Sequence, residues 1–226
     1  MKILLNDRLD PHHQEQILAV SDDIELVVPG SKEEALEVMP EIEAVFGGLN
    51  QDLFRRAERL RWVQTWGAGV DGMLTREFVN SEIVLTSAKG TVGVHLAEHA
   101  MALMLGLTRG IAWAVRKPSW DQRMPIRMAS WEMIDRTMGI IGLGGTGRDL
   151  AVRAGAFGMK IMAVDPEDID LPDAVDACWK MDRFHDLLEV SDVVAICCPR
   201  TPETEGMFDR EAFRRMQKHA LLINVT

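Results

Sequence analysis

Apolar residues fall along this chain in short runs separated by amphipathic stretches. The first half carries Ile3-Leu4-Leu5, Ile24 to Val28, Ala44-Val45-Phe46, Trp62-Val63-Gln64 and Ile83-Val84-Leu85. Short apolar runs bounded by turn residues are the pattern of buried strands. Strands are therefore expected over residues 2–6, 24–28, 44–46, 62–64 and 83–85. Helices are expected over 11–20 and 51–58, and from Ser31, which stands three residues before Glu34 in the spacing of a capping box. Pro29-Gly30 stops the second strand, Gly47-Gly48 closes the third, and the fourth runs into Gly67-Ala68-Gly69-Val70-Asp71. Strands alternating with helices imply a parallel sheet with helices on its faces.

The pattern changes after residue 93. Residues 94–115 read as one long helix rich in Ala, Leu and Met, and 117–136 as an irregular stretch holding Pro118, Pro125, Trp120 and Trp131. A new α/β pattern opens at Thr137. The chain divides into an N-terminal α/β domain over 1–93, a helix and loop over 94–136, and a second α/β domain over 137–226.

The second domain opens with the strongest chemical signal. Met138-Gly139-Ile140-Ile141 is an apolar strand, Gly142-Leu143-Gly144-Gly145-Thr146-Gly147 follows, and a helix begins at Arg148. A second apolar strand, residues 160–164, ends in Asp165. Each part has a physical task in a dinucleotide site. Gly142 permits a tight turn, Gly144 lets main chain approach a pyrophosphate, and Gly147 lets helix and strand pack closely. The helix start offers free N–H groups and partial positive charge to phosphates. Asp165 sits where a carboxylate takes the hydroxyls of the adenosine ribose. Pro166 and Glu167 follow it, with no Lys or Arg close in sequence to hold a 2′-phosphate, so NAD is expected rather than NADP.

Composition narrows the classes. Of 226 residues, 47% are hydrophobic, enough for real cores. The net charge of −10 argues against a nucleic-acid surface, which normally needs a basic patch. Three cysteines, two of them adjacent, make neither a disulfide framework nor a metal site, and suit a reducing cytoplasm. The longest apolar stretch, 100–107, is far short of the ~20 residues that span a bilayer.

In its motifs the chain resembles the D-isomer-specific 2-hydroxyacid dehydrogenases over essentially its whole length. Residues 60–71 resemble the family's substrate loop, and Ala97-Glu98-His99-Ala100-Met101-Ala102-Leu103 the start of its interdomain helix. Residues 137–165 resemble its cofactor loop, Cys198-Pro199-Arg200-Thr201-Pro202-Glu203-Thr204 its Pro-x-Thr-Pro-x-Thr segment, and 220–226 the next strand. The resemblance implies an α/β fold of two Rossmann-like domains with parallel sheets, the first flavodoxin-like and the second NAD-binding with an incomplete sheet. It implies hydride transfer between NAD and a small 2-keto or D-2-hydroxy acid, with the active site in the cleft. Main-chain N–H groups around Ala68, Gly69 and Val70 would hold the substrate carboxylate, unless this is a plain strand-to-helix turn. Gly142, Gly144, Gly145, Thr146, Gly147 and Asp165 would hold the cofactor. Leu96 would face the nicotinamide or simply pack its helix. Cys198, Pro199 and Thr204 would line the cofactor cleft, with a turn hydroxyl as the other reading of Thr204. Trp66 in the substrate loop would narrow the pocket in favour of a small acid.

The family's catalytic Arg, Glu and His follow the strand that here reads Ile223-Asn224-Val225-Thr226, so all three are expected beyond Thr226 and no catalytic residue is assigned within the chain. Glu98 and His99 are no substitute, because neighbours on a helix point about a hundred degrees apart. His12 and His13 read as solvated, and His185 and His219 as helix-surface or helix-end residues. The last strand would be an exposed sheet edge. Three explanations stand: a portion of a longer protein, a truncated gene, or a partner that completes the sheet. Two functions stand with them: an oxidoreductase, or an inactive NAD-binding protein or fragment. A homodimer is implied through residues 94–131, where Trp113, Trp120 and Trp131 suit an interface; packing against the chain's own first domain is the alternative.

Overall fold

Five short apolar runs among the first ninety residues become five parallel strands in the computed structural model, which describes all of Met1–Thr226 as two units, Met1–Lys89 and Gly90–Thr226. The first unit runs β1 (Lys2–Leu5), α1 (Pro11–Leu18), β2 (Glu25–Val27), α2 (Lys32–Val38), β3 (Ala44–Phe46), α3 (Gln51–Arg56), β4 (Trp62–Gln64), α4 (Arg76–Val79) and β5 (Val84–Thr86). Its sheet order is β2-β1-β3-β4-β5, all parallel. Register places Leu4 opposite Val45 and Val45 opposite Val63, so these buried side chains form one row. Ala35, Met39, Ile42, Leu53 and Phe78 pack on that row and close the core. Each fully buried aliphatic side chain contributes about 1.5–3 kcal/mol.

Local chemistry accounts for the helix ends. Ser31 Oγ accepts from the N–H of Glu34 at 3.1 Å, the forward arm of the expected box. The return arm is displaced by one residue, since Glu34 Oε2 accepts from Gly30 N–H at 2.7 Å. Helix α1 ends at Leu18, earlier than its polar pattern suggests. The single turn of α4, capped by Thr75 over Phe78, has too few residues to show a period and was not anticipated.

The second unit opens with α5 (Gly93–Thr108), and here the sequence reading needs correction. The helix expected over 94–115 is interrupted: Gly110 is left-handed at φ +64°, and a separate α6 (Ile111–Arg116) follows. A side chain at Gly110 would meet Ile126 Cγ2 at 2.8 Å, so the bend brings residue 126 close. Nor is 117–136 irregular throughout, for it holds a 3-10 turn (Trp120–Gln122) and α7 (Arg123–Ala129). Then come β6 (Thr137–Ile141), α8 (Gly145–Ala156), β7 (Lys160–Val164), β8 (Ala177–Trp179), α9 (Phe184–Val190), β9 (Val193–Ile196), α10 (Arg210–Arg215) and β10 (Leu221–Asn224).

The second sheet has five parallel strands in the order β10-β9-β6-β7-β8. One face is covered by α5 and α8, whose Ala97, Ala100, Met101, Met104, Leu150, Ala151 and Ala154 are buried against it. The other is covered by Phe184, Leu187 and Leu188 of α9 and Ala212 of α10. At the amino ends of the strands one nearly buried carboxylate joins three of them. Asp192 accepts from Arg136 Nη1 at 2.9 Å, from Thr137 N–H at 2.8 Å and from His219 Nε2 at 2.7 Å. Its own carbonyl accepts from Leu221 N–H at 3.0 Å. His219, read from sequence as a helix-end residue, thus ties β10 to β9.

Candidate functional site

A parallel sheet opens a crevice at the carboxyl ends of its strands, where the chain reverses its direction of winding. In the second unit that point lies between β6 and β9, the first and fourth of its strands in chain order. Two segments therefore meet there: the glycine loop leaving β6 and the Cys198-Pro199 turn leaving β9.

The loop is shaped by three glycines in different ways. Gly142 has φ +89°, and a Cβ on it would come within 2.8 Å of the main chain of Cys198. Gly147 is buried, and a Cβ there would overlap the carbonyl oxygen of Gly142. Gly144, the N-cap of α8, has open space around it and provides no side-chain cap. The N–H groups of Gly145, Thr146 and Gly147 have no partner within the chain, and the first bond of the helix runs from Arg148 N–H to Gly144 O at 3.0 Å. An uncapped helix start with free donors and no side chain in front of it fits a pyrophosphate.

Asp165 lies half-buried at the end of β7. Its Oδ2 accepts from Leu143 N–H at 2.7 Å and its Oδ1 from Glu167 N–H at 3.0 Å. Each oxygen keeps a further lone-pair site, which fits two ribose hydroxyls. The surroundings of Asp165 differ from the sequence reading in one respect. Lys180 stands close by, donating to Pro166 O at 3.0 Å and pairing with Asp168 at 2.6 Å. The short strand β8, not foreseen, brings it there by pairing Trp179 with Val164. The lysine is already engaged by Asp168, away from Asp165.

The other residues expected to line the cleft are placed as follows. Cys198 is half-buried; burial pushes its thiol up, its own main chain opposes this in part, and the nearby charge of Asp165 adds a smaller push upward. Pro199 is exposed. The Thr204 hydroxyl donates to Pro199 O at 2.8 Å and accepts from Thr201 N–H at 2.8 Å, so it pins the turn. Leu96 is half-buried in the first turns of α5, packed on the core beneath.

The first unit has its own carboxyl-end loops. Its sheet reverses winding between β1 and β3, but that point is filled from within: Asn6 Nδ2 donates to Gly48 O, and Gly48 N–H donates to Asp7 Oδ2 at 3.1 Å. Gly47, at φ +115°, makes room for the Asp7 carboxylate. Sequence reading passed over Asn6 and Asp7, whose only signal was polarity directly after an apolar strand. The next loop, after β4, stays open. Its carbonyls are engaged, with Gly67 O accepting from Thr65 Oγ1 at 2.7 Å and from Ala88 N–H at 3.1 Å. The N–H groups of Ala68, Gly69 and Val70 are free. No residue of this loop is left-handed, so it is an open turn of donors rather than the alternating-hand anion nest.

No histidine joins these groups into an acid–base pair. Glu98 pairs with Arg153 at 3.5 Å, His99 is exposed, and the rings of His12 and His13 lie tilted at 50° with centroids 5.7 Å apart on α1. No cluster of three or more His, Cys, Asp or Glu is placed to hold a metal. No helix is long and apolar enough to cross a membrane.

Comparison with known proteins places the chain in a family. Residues 101–226 match the family model for the D-isomer specific 2-hydroxyacid dehydrogenase, NAD binding domain. D-3-phosphoglycerate dehydrogenase of Methanocaldococcus jannaschii is 29% identical across 99% of this chain, which spans 43% of that protein. Hydroxypyruvate reductase of Thermotoga maritima is 27% identical across 99% of the chain, which spans 73% of it. A solved structure from Pyrococcus horikoshii superposes with a TM-score of 0.81 at 23% identity, over 99% of this chain and 69% of its own. The chain thus spans less than half the length of the phosphoglycerate dehydrogenase it matches. The cofactor for which the glycine loop is built is NAD.

Proposed function

This chain belongs to the D-isomer specific 2-hydroxyacid dehydrogenase family, and from that premise we propose that it interconverts a 2-keto acid and the corresponding D-2-hydroxy acid. The observation that carries the proposal is the uncapped start of α8 beside the Asp165 carboxylate, a built dinucleotide site. When bound there, NAD supplies a nicotinamide ring that accepts or donates hydride. Gly144, Gly145, Thr146 and Gly147 hold the pyrophosphate through main-chain N–H groups, and Asp165 orients the adenosine ribose. Leu96, Cys198, Pro199 and Thr204 shape the walls. Ala68, Gly69 and Val70 offer free N–H groups to the substrate carboxylate, which supports their assignment to that role. The family's Arg, Glu and His follow the strand corresponding to β10, and no residue among these 226 is assigned to proton transfer.

The exposed apolar side chains Leu107, Ile111, Trp120 and Met128 support a homodimer formed through the α5–α7 segment. Three free cysteines support a reducing cytoplasmic setting. The test has two parts: titrate this chain with NADH, then follow NADH consumption with glyoxylate, hydroxypyruvate, pyruvate and phenylpyruvate in a version that also carries the family's Arg, Glu and His. Binding is expected of this chain, and turnover on a 2-keto acid of the version with the three residues. NADH binding without turnover on any of them by that version would leave a cofactor-binding protein and overturn the enzyme reading.

A further inference from the structure

We infer that Phe46 and Trp66 form an aromatic wall that selects a 2-keto acid with a planar apolar side chain, such as an aryl group at C3. The inference rests on the carboxylate-binding reading of residues 68–70 given above. Phe46 ends β3 and Trp66 follows β4, its immediate neighbour in the sheet. Their rings meet edge to face, with centroids 4.6 Å apart and planes at 79°. Edge-to-face contact is the favoured aromatic geometry, so Phe46 holds the indole in place. Yet Trp66 keeps 44% of its surface exposed. A large aromatic ring held on one edge by Phe46 and with nearly half of its surface open is a contact surface that its own unit does not fully cover.

Its position relates that surface to the substrate. Trp66 lies within a few residues of the free N–H groups of Ala68, Gly69 and Val70. A Cβ built on Gly69 meets only Asp71 Oδ2, at 4.0 Å, so the indole does not fill the space on that side of the glycine. Held sideways against Phe46, Trp66 serves in this reading as a wall beside the carboxylate position rather than a lid across it. A lid would restrict the site to the smallest acids; a wall rewards a side chain that lies flat against it. The crevice at β1 and β3 is already filled by Asn6 and Asp7, which leaves the Trp66 side as the open direction. The cations nearest in sequence to the open loop are Arg61, paired with Glu43 at 3.0 Å, and Arg76, in the turn of α4; a phosphorylated acid would need a cation of this kind at the site.

The experiment measures affinity, so that it does not depend on turnover. Isothermal titration of the whole chain with NAD present compares 3-phenyllactate, lactate and 3-phosphoglycerate in the wild type, Trp66→Ala, Trp66→Phe and Phe46→Leu, with Trp120→Ala as a distant control. Phenyllactate is expected to bind about tenfold or more tighter than lactate. Trp66→Ala should remove that preference, bringing the affinity for phenyllactate down to about that for lactate. Trp66→Phe should keep most of it, and Phe46→Leu should reduce it. Circular dichroism establishes that each variant is folded; if Trp66→Ala is not, the Phe46→Leu and Trp66→Phe pair decides. Binding of both acids with a ratio insensitive to Trp66 and Phe46 overturns the inference alone. Tighter binding of 3-phosphoglycerate than of phenyllactate overturns it in favour of a cationic subsite. Binding of none of the three acids, with NAD still bound, overturns the keto-acid reading and this inference together.

Discussion

Asp165 Oδ2 accepts a hydrogen bond from the main-chain N–H of Leu143 at 2.7 Å, so the carboxylate assigned to the ribose also fixes the glycine loop. Bonds to a charged group contribute about 1.5–3 kcal/mol each. Asp165→Ala should therefore weaken NADH binding by at least about tenfold, read by fluorescence titration. Asp165→Ser combined with Asp168→Asn should do more. It removes the carboxylate that opposes a 2′-phosphate and frees Lys180, now paired with Asp168 at 2.6 Å. The ratio of NADPH to NADH affinity should rise in the double variant; an unchanged ratio would remove Lys180 from the account.

Two glycines of the same loop should fail in different ways. A Cβ on Gly147 would overlap Gly142 O, whereas one on Gly144 meets nothing within 4 Å. Gly147→Ala should lower the melting temperature, with a loss on the order of a few kcal/mol. Gly144→Ala should leave the melting temperature near the wild-type value and weaken NADH. Equal thermal losses in the two variants would contradict these separate roles.

The Asp192 cluster makes stability depend on acid pH. Burial pushes its carboxyl up, but bonds from His219, Thr137 and Arg136 together outweigh that, and the group titrates below the usual carboxylate range. A carboxyl with a depressed folded-state value adds stability above its unfolded value, and that stability is lost as pH falls towards the folded one. The melting temperature should therefore drop on acidification below about pH 4, the ordinary Asp range. Asp192→Asn should be less stable than wild type at neutral pH, and the gap should narrow in acid. A gap of constant size from neutral pH to pH 3 would be the wrong outcome.

Association should depend on the α5–α7 face. Trp120 and Met128 are 77% and 78% exposed, unusual for side chains of that size. Trp120→Ser with Met128→Ser should shift a dimer towards monomer in sedimentation, without loss of helicity. A dimer of unchanged strength would place the interface elsewhere.

Strands of the chain were legible wherever apolar runs ended in glycine or proline. Ala44–Phe46, Trp62–Gln64 and Lys160–Val164 lie where the pattern put them. What escaped were elements set by tertiary contact. The three residues of β8 pair only because β7 offers an edge, and Lys180 reaches the cofactor end with them. The helix read as continuous over 94–115 breaks at Gly110, since one glycine in an apolar run does not reveal its handedness. At the candidate site the glycine loop was legible because each glycine obeys a separate steric demand. The Phe46–Trp66 contact was not, because it joins two strand ends some twenty residues apart.

Gly142 carries a consequence beyond its turn. Its Cα faces the main chain of Cys198 with no room for a methyl group between them. The two banks of the dinucleotide crevice therefore approach each other at Gly142 with no space for a Cβ between them. Position 142 acts as a spacer gauge: its missing side chain sets the width of the opening, and any wider residue would wedge the carboxyl ends of β6 and β9 apart.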